Sequence, residues 1–288
     1  MRNPVLTASG TCGYGMELLP EVPPESLGAV CTKGLSLEPR PGGPEPRIWE
    51  VPCGMLNAIG LANVGVEVFL AEKLPPLRER GVTVVANVLG VSPEEFAELA
   101  TRLDGQPGVA ALELNLSCPN VKAGGVHMSR DPSLAAAAVE AARRATTLPL
   151  IAKLSPEGDP LAVAKAVARA GADALSICNT LRAMAIDVES RRPRLGSVYG
   201  GLSGPALRPV AVRIVHEVSA SVELPIIGVG GVTTWEDAAE MMLAGAAAVQ
   251  VGTALFLDPR APLTILEGLE AYLDRHGESA RDIVGACR

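Results

Sequence analysis

The sequence predicts one (β/α)8 barrel spanning residues 1–288, an α/β fold with long active-site insertions at the C-terminal face of its strands. Three observations predict it. Eight short apolar runs lie along the chain, and helix-like stretches separate most of them. The length of 288 residues suits a single α/β barrel. The composition, 48% hydrophobic against 20% charged, is that of a globular chain, and with aromatics at only 3% aliphatic residues must build the core.

The eight runs are Pro4–Ala8, Gly28–Thr32, Thr83–Asn87, Ala111–Asn115, Leu150–Lys153, Ala174–Cys178, Pro225–Gly228 and Ala248–Gly252. Each is short, aliphatic and apolar on both faces, as a buried parallel strand requires. Ser92 before Pro93 marks a helix start, since a serine caps the free amides and proline suits the first turn. The helix predicted there is Pro93–Leu103. Others are predicted over Asp131–Arg144, Asp159–Ala170, Pro205–Val218 and Thr234–Ala244; Gly171 and Gly245 mark two of the ends. A doubly wound sheet is the rival arrangement, and periodicity alone does not separate the two. Two connections, Lys33–Gly81 and Thr180–Gly204, are too long for simple crossovers. Both follow a strand's C-terminal end, where barrel active sites form. They are read as long ordered loops, the second carrying the basic run Arg191–Arg194 as either a solvated loop or a partner contact.

The formal net charge of −7 argues against a general nucleic-acid surface, which needs a basic face. No apolar run reaches the ~18 residues of a membrane span, and the start, Met1-Arg2-Asn3-Pro4, carries no apolar stretch of the kind a signal peptide is expected to have. The six cysteines, at 12, 31, 53, 118, 178 and 287, form no C-x-x-C pair, so no metal or iron–sulfur site is expected in this chain. Free thiols in a reducing cytoplasm are the simplest reading.

The polar residues gather at the predicted strand ends. Lys33, Asn87, Asn115, Lys153, Asn179 and Thr253 sit at or just past six different strands. Singly, each is readable as a loop residue. Together they form a polar ring that suits a planar heterocycle with carbonyl and N–H edges plus an anionic group. Cys118 follows in the run Asn115-Leu116-Ser117-Cys118-Pro119-Asn120. A free cysteine is ordinarily a small buried hydrophobe, but a loop thiolate at a barrel mouth can act as a general base. The last two strands end in Gly228-Val229-Gly230-Gly231 and Gly252-Thr253, the loops that build barrel phosphate sites; ordinary turn glycines are the rival reading. There is no G-x-G-x-x-G unit, so direct NAD binding is not expected.

The segments ASGTCGYG, TKG, EPRPGGPEPR, MLNAIGLAN, ANVLG, ELNLSCPNVKAGG, AKLSP, CNT, GGLSGPALRPVA, GVGG and VGTA occur in this order. Over about Asn3 to Phe256 the chain resembles the FMN-bearing catalytic subunit of the class 1 dihydroorotate dehydrogenases, and NVKAGG resembles the B-type, NAD-linked branch. The resemblance implies oxidation of dihydroorotate to orotate in pyrimidine biosynthesis. It implies FMN contacts from Ser9, Lys33, Gly34, Asn87, Asn115, Lys153, Cys178, Gly204, Gly230, Gly231, Gly252 and Thr253. Dihydroorotate would be held by Lys33, Asn57, Ala58, Ile59, Gly60, Leu61, Asn115, Asn120, Asn179 and Thr180, with Cys118 as the base. It further implies a homodimer, and a heterotetramer with a partner subunit carrying FAD and a 2Fe–2S cluster.

Departures from the family pattern are Leu89 in place of a small residue and Cys178 in place of an aliphatic one. The short hairpin that closes the barrel bottom in the family is also absent ahead of Pro4, so either an open bottom or a start further upstream is expected. The alternatives are a fumarate-linked A-type enzyme, another pyrimidine reductase such as a flavin dihydropyrimidine dehydrogenase, and a flavin-free phosphate-binding aldolase or isomerase barrel. A dihydrouridine synthase is disfavoured by the acidic charge, and a non-catalytic scaffold by Cys118.

Overall fold

The computed structural model describes residues 1–117 and 128–287. Its strands are β1 (Val5–Thr7), β2 (Val30–Cys31), β3 (Ile48–Val51), β4 (Gly54–Asn57), β5 (Val84–Val88), β6 (Val109–Asn115), β7 (Leu150–Leu154), β8 (Ala174–Ile177), β9 (Leu181–Ala183), β10 (Ile186–Asp187), β11 (Arg192–Pro193), β12 (Gly200–Ser203), β13 (Ile226–Val229) and β14 (Ala248–Val251). Eight of these form one parallel sheet in the order β1-β14-β13-β8-β7-β6-β5-β2. Its two ends meet: Leu6 bridges Ala29, and the Thr7 amide donates to the Ala29 carbonyl at 3.3 Å. The sheet is therefore a barrel rather than a doubly wound layer, and all eight predicted strands belong to it.

The helices are α1 (Val66–Val68), α2 (Leu74–Glu79), α3 (Pro93–Leu103), α4 (Pro132–Ala145), α5 (Pro160–Arg169), α6 (Arg208–Ser219), α7 (Trp235–Leu243) and α8 (Ala261–His276). Their starts follow local chemistry. Ser92, Asp131 and Asp159 each accept an amide hydrogen bond from the first turn, with proline next in line. Thr234 and Asp237 form a reciprocal capping box on α7. The apolar helix faces, such as Phe96, Leu99 and Leu103 on α3 or Val163 and Val167 on α5, pack on the outward side of the strands and are fully or almost fully buried. No helix among the described residues is long and apolar enough to cross a membrane.

Inside the barrel, side chains alternate along each strand, and the interior has two levels. Nearer the strand starts, Leu6, Ala29, Val85, Ala111, Ile151, Ile227 and Ala248 form an apolar cluster, joined by the partly buried Ala174 and, from one level up, by Cys31. Two residues further along, the same faces carry Cys31, Asn87, Glu113, Lys153, Ser176 and Gln250, all buried.

The two long connections are not the loops the sequence predicts. They pair with each other in an antiparallel sheet of order β3-β4-β12-β9, with Asn57 opposite Gly201 and Leu202 opposite Leu181. A second small ribbon, β10-β11, takes in Arg192 of the basic run, and the Arg194 guanidinium lies 4.5 Å from the centre of the Trp49 ring. Gly201 is dictated by close approach: a Cβ there would lie 2.0 Å from the Thr180 hydroxyl oxygen. Both insertions leave the C-terminal ends of barrel strands, so the extra sheet stands at the barrel mouth.

Candidate active site

Every predicted site residue within the described residues lies at the C-terminal end of the barrel or in the sheet above it. Ser9 follows β1; Lys33 and Gly34 follow β2; Asn87, Asn115 and Lys153 lie on β5, β6 and β7; Cys178, Asn179 and Thr180 follow β8. Gly204 follows β12, Gly230 and Gly231 follow β13, and Gly252 and Thr253 follow β14. Asn57 ends β4 and leads into Ala58–Leu61. Cys118 and Asn120 lie outside the described residues.

Three glycine loops converge on one side of the mouth. Gly204 (φ +94°), Gly230 (φ +122°) and Gly231 (φ +74°) take conformations that favour glycine. A Cβ on Gly231 would lie 2.8 Å from the Gly204 carbonyl oxygen and 3.0 Å from the Arg208 amide nitrogen, so these backbones meet at the first residue of α6. The Thr253 hydroxyl donates to Ser203 Oγ at 2.8 Å, tying the loop after β14 to the same place. The amides at the start of α6 are committed or missing, Leu207 donating to Gly204, Arg208 to Pro205 and Pro209 having none, so the cradle offered to a phosphate group is that of the glycine-loop amides themselves. The sequence pointed to two of these loops by position; the third comes from the inserted sheet.

The floor of the mouth is polar and ordered. Asn87 Nδ2 donates to Glu113 at 2.7 Å, while Asn87 Oδ1, fully buried, has no partner among the described residues. Lys153 Nζ lies 3.4 Å from Glu113 Oε1. Burial pulls the Glu113 carboxyl upward, but the Lys153 charge and hydrogen bonds from Gln250, Ser176 and Asn87 outweigh it and hold the group below the usual carboxylate range. Asn179 Nδ2 donates to Asn115 Oδ1 at 3.2 Å, which leaves the Asn115 amide N–H groups to offer. Asn57 Nδ2 donates to the Gly201 carbonyl at 3.2 Å, so the inserted sheet fixes this side chain as well. Cys178 is buried, its amide committed to Val229 at 2.8 Å and its thiol pushed up to about 12 by burial; it is no thiolate at neutral pH.

Lys33 is half-buried, its amide donating to Gly13 at 2.7 Å. Burial and the neighbouring Arg47 guanidinium lower its pKa from the ordinary lysine value, with Glu17 opposing them. Arg47, beside Lys33, is a candidate that sequence reading missed. Its Nε is buried without a partner among the described residues, and its carbonyl accepts from the Ala58 amide at 2.7 Å, beside the Asn57–Leu61 segment. Two cations in one half-buried place favour an anionic ligand. The only signal in the sequence was an arginine within a proline–glycine run.

The residues present fit a flavin mononucleotide: a glycine cradle for its phosphate, an unpartnered amide oxygen for a ring N–H, and the Lys153 ammonium for the electron-rich ring edge.

Comparison with known proteins agrees with this geometry. The family model for dihydroorotate dehydrogenase matches residues 1–273. The chain is 57% identical over 288 residues to the dihydroorotate dehydrogenase B (NAD(+)) catalytic subunit of Pelobacter propionicus, covering 99% of this chain and 95% of that one. The subunits of the same name from Geotalea daltonii and Desulforudis audaxviator are 54% and 53% identical, covering 100% and 99% of this chain and 95% and 94% of theirs. Among solved structures, the DHODH of Eimeria tenella in complex with ferulenol superposes with a TM-score of 0.81 at 21% identity, over 99% of this chain and 85% of that one; the likeness is one of fold. A closed parallel barrel, a glycine cradle beside a polar floor, and these matches over nearly the whole length together show that the chain belongs to the dihydroorotate dehydrogenase family.

Proposed function

We propose that this chain is the catalytic subunit of a B-type, NAD-linked dihydroorotate dehydrogenase, oxidising (S)-dihydroorotate to orotate in pyrimidine biosynthesis. The observation that carries the reading is the meeting, over one barrel mouth, of the Lys33–Arg47 cation pair, the Asn57, Asn115 and Asn179 amides and the glycine cradle. When bound, FMN supplies the acceptor for the hydride that leaves carbon 6 of the substrate.

The chain's own groups do the rest. Lys33, with Arg47 beside it, binds the substrate carboxylate as a charge-assisted contact. Asn57, Asn115, Asn120, Asn179 and Thr180 hold the pyrimidine edges, and Ala58–Leu61 cover the ring. The Cys118 thiolate takes the proton from carbon 5, and loss of that proton and the hydride leaves the carbon 5–carbon 6 double bond. Ser9, Gly34, Asn87, Lys153, Cys178, Gly204, Gly230, Gly231, Gly252 and Thr253 would hold the cofactor. Electrons then pass to NAD through a partner subunit carrying FAD and a 2Fe–2S cluster. The B-type names of relatives at 53–57% identity favour this route over the fumarate-linked one. The exposed Ile186, Val188, Val198 and Tyr199, on and beside the inserted strands, support a contact with a second copy or with that partner. Free thiols at all five described cysteines fit a reducing cytoplasm.

Anaerobic mixing of the FMN-loaded chain with dihydroorotate tests the reading. Bleaching of the flavin absorbance band is the expected result. A band that stays yellow contradicts the substrate, and a chain that takes up no FMN contradicts the cofactor.

A further inference from the structure

Glu113 is a carboxylate with no accessible surface, at the centre of the barrel. Side chains from five other strands hold it. Its Oε1 accepts from Asn87 Nδ2 at 2.7 Å, from the Cys31 thiol at 3.2 Å and from Lys153 Nζ at 3.4 Å. Its Oε2 accepts from Ser176 Oγ at 2.7 Å and from Gln250 Nε2 at 2.8 Å. Burial and the Glu113 charge push the Cys31 thiol well above its ordinary range, so Cys31 is a neutral donor and Lys153 the sole cation in this set.

A barrel that needed only to be filled would do as well with an aliphatic side chain here, because a buried ion pair stabilises little beyond its desolvation cost. The apolar level directly below is filled in that way. What distinguishes the carboxylate is its choice of partners. Asn87 and Lys153, the two floor groups offered to the flavin ring, are both bound by the same oxygen. One atom therefore fixes both groups and places a negative charge beside the Lys153 ammonium.

We propose that Glu113 is a positioning residue that holds Lys153 and Asn87 beneath the flavin ring and offsets the Lys153 charge, thereby setting the reduction potential of the flavin without touching it. The proposal rests on the reading of this mouth as an FMN site. The physical argument is electrostatic. A cation at the electron-rich edge favours the reduced flavin, and an adjacent anion in a water-poor interior damps that preference.

The test is to reconstitute wild type, Glu113→Gln and Lys153→Met with FMN, and to measure FMN affinity and the midpoint potential. Glu113→Gln should weaken FMN binding at least tenfold. It should also shift the oxidised–reduced equilibrium about tenfold toward the reduced form, roughly 30 mV upward for a two-electron couple. Lys153→Met should move the potential downward. Weaker binding of FMN by Glu113→Gln with an unmoved potential would make Glu113 a packing residue and overturn the proposal, as would wild-type values for both. A wild-type chain that binds no FMN, or a Lys153→Met protein that binds it with an unmoved potential, overturns the site reading instead. Should Glu113→Gln fail to fold, Glu113→Asp keeps the charge on a shorter arm. Loosened FMN with a near-wild-type potential is then expected, and a potential displaced as far as by Lys153→Met overturns the proposal.

Discussion

The two levels of the barrel interior lie two residues apart along the same strands and have opposite chemistry. On β5, Val85 gives way to Asn87; on β6, Ala111 to Glu113; on β7, Ile151 to Lys153; on β8, Ala174 to Ser176; on β14, Ala248 to Gln250. The lower level is an aliphatic plug, buried except in part at Ala174, that helps close the barrel. The upper level is an equally buried set of hydrogen-bonded polar groups that faces the mouth. The same backbone supports both, so the division between stability and function is made by side chains alone. A parallel barrel can assign one interior level to each because successive inward positions rise toward the C-terminal face.

The largest effect concerns the proposed base. Cys118→Ala should lower dihydroorotate turnover by roughly 10²–10⁴-fold, the range for a lost general base, while FMN stays bound. Steady-state rates together with the flavin spectrum check this, and wild-type turnover would remove the base assignment.

Next comes the polar level itself. Lys153→Met leaves the Glu113 carboxylate buried without its cation and should cost about 3–5 kcal/mol of stability near neutral pH. The Glu113 pKa is held below its unfolded value, so its contribution is present above the ordinary carboxylate range and is lost as pH falls through the lowered folded pKa. Denaturant melts of wild type should therefore weaken on acidification. Those of Lys153→Met should weaken less or reverse, because burial alone raises the carboxyl. Parallel pH profiles for the two proteins would contradict the pairing.

The smallest effect belongs to the plug. Ile151→Val should cost about 0.5–1.5 kcal/mol and leave FMN affinity unchanged when both are measured on the same preparation. A loosened flavin would show that the two levels are not separable.

Much of this division is legible in the sequence. A buried parallel strand reads as an apolar run, and a polar residue at or just before its mouth end breaks that run, so Asn87, Asn115 and Lys153 stand out. Helix starts are equally local: Ser92 and Pro93 open a helix that runs over Pro93–Leu103 as predicted. The inserted sheet was not legible, because Asn57 and Gly201 are 144 residues apart in sequence and strands such as Gly200–Ser203 carry little strand propensity. Glu113 was missed for a related reason. One polar residue in an apolar run looks incidental until the closed barrel brings in Gln250, 137 residues away, together with Lys153 and Asn87. The last helix, α8, escaped notice because its first turn has no side-chain cap.

The central claim is that function and packing occupy separate levels of one barrel. The most direct test is paired substitution on a single strand, Val85→Ala and Asn87→Ala on β5, with FMN dissociation constants and unfolding free energies measured for both. The account predicts that Val85→Ala loses about 1–2 kcal/mol of stability with wild-type FMN affinity, whereas Asn87→Ala weakens FMN at least tenfold. Equal loss of FMN affinity in the two variants would contradict it.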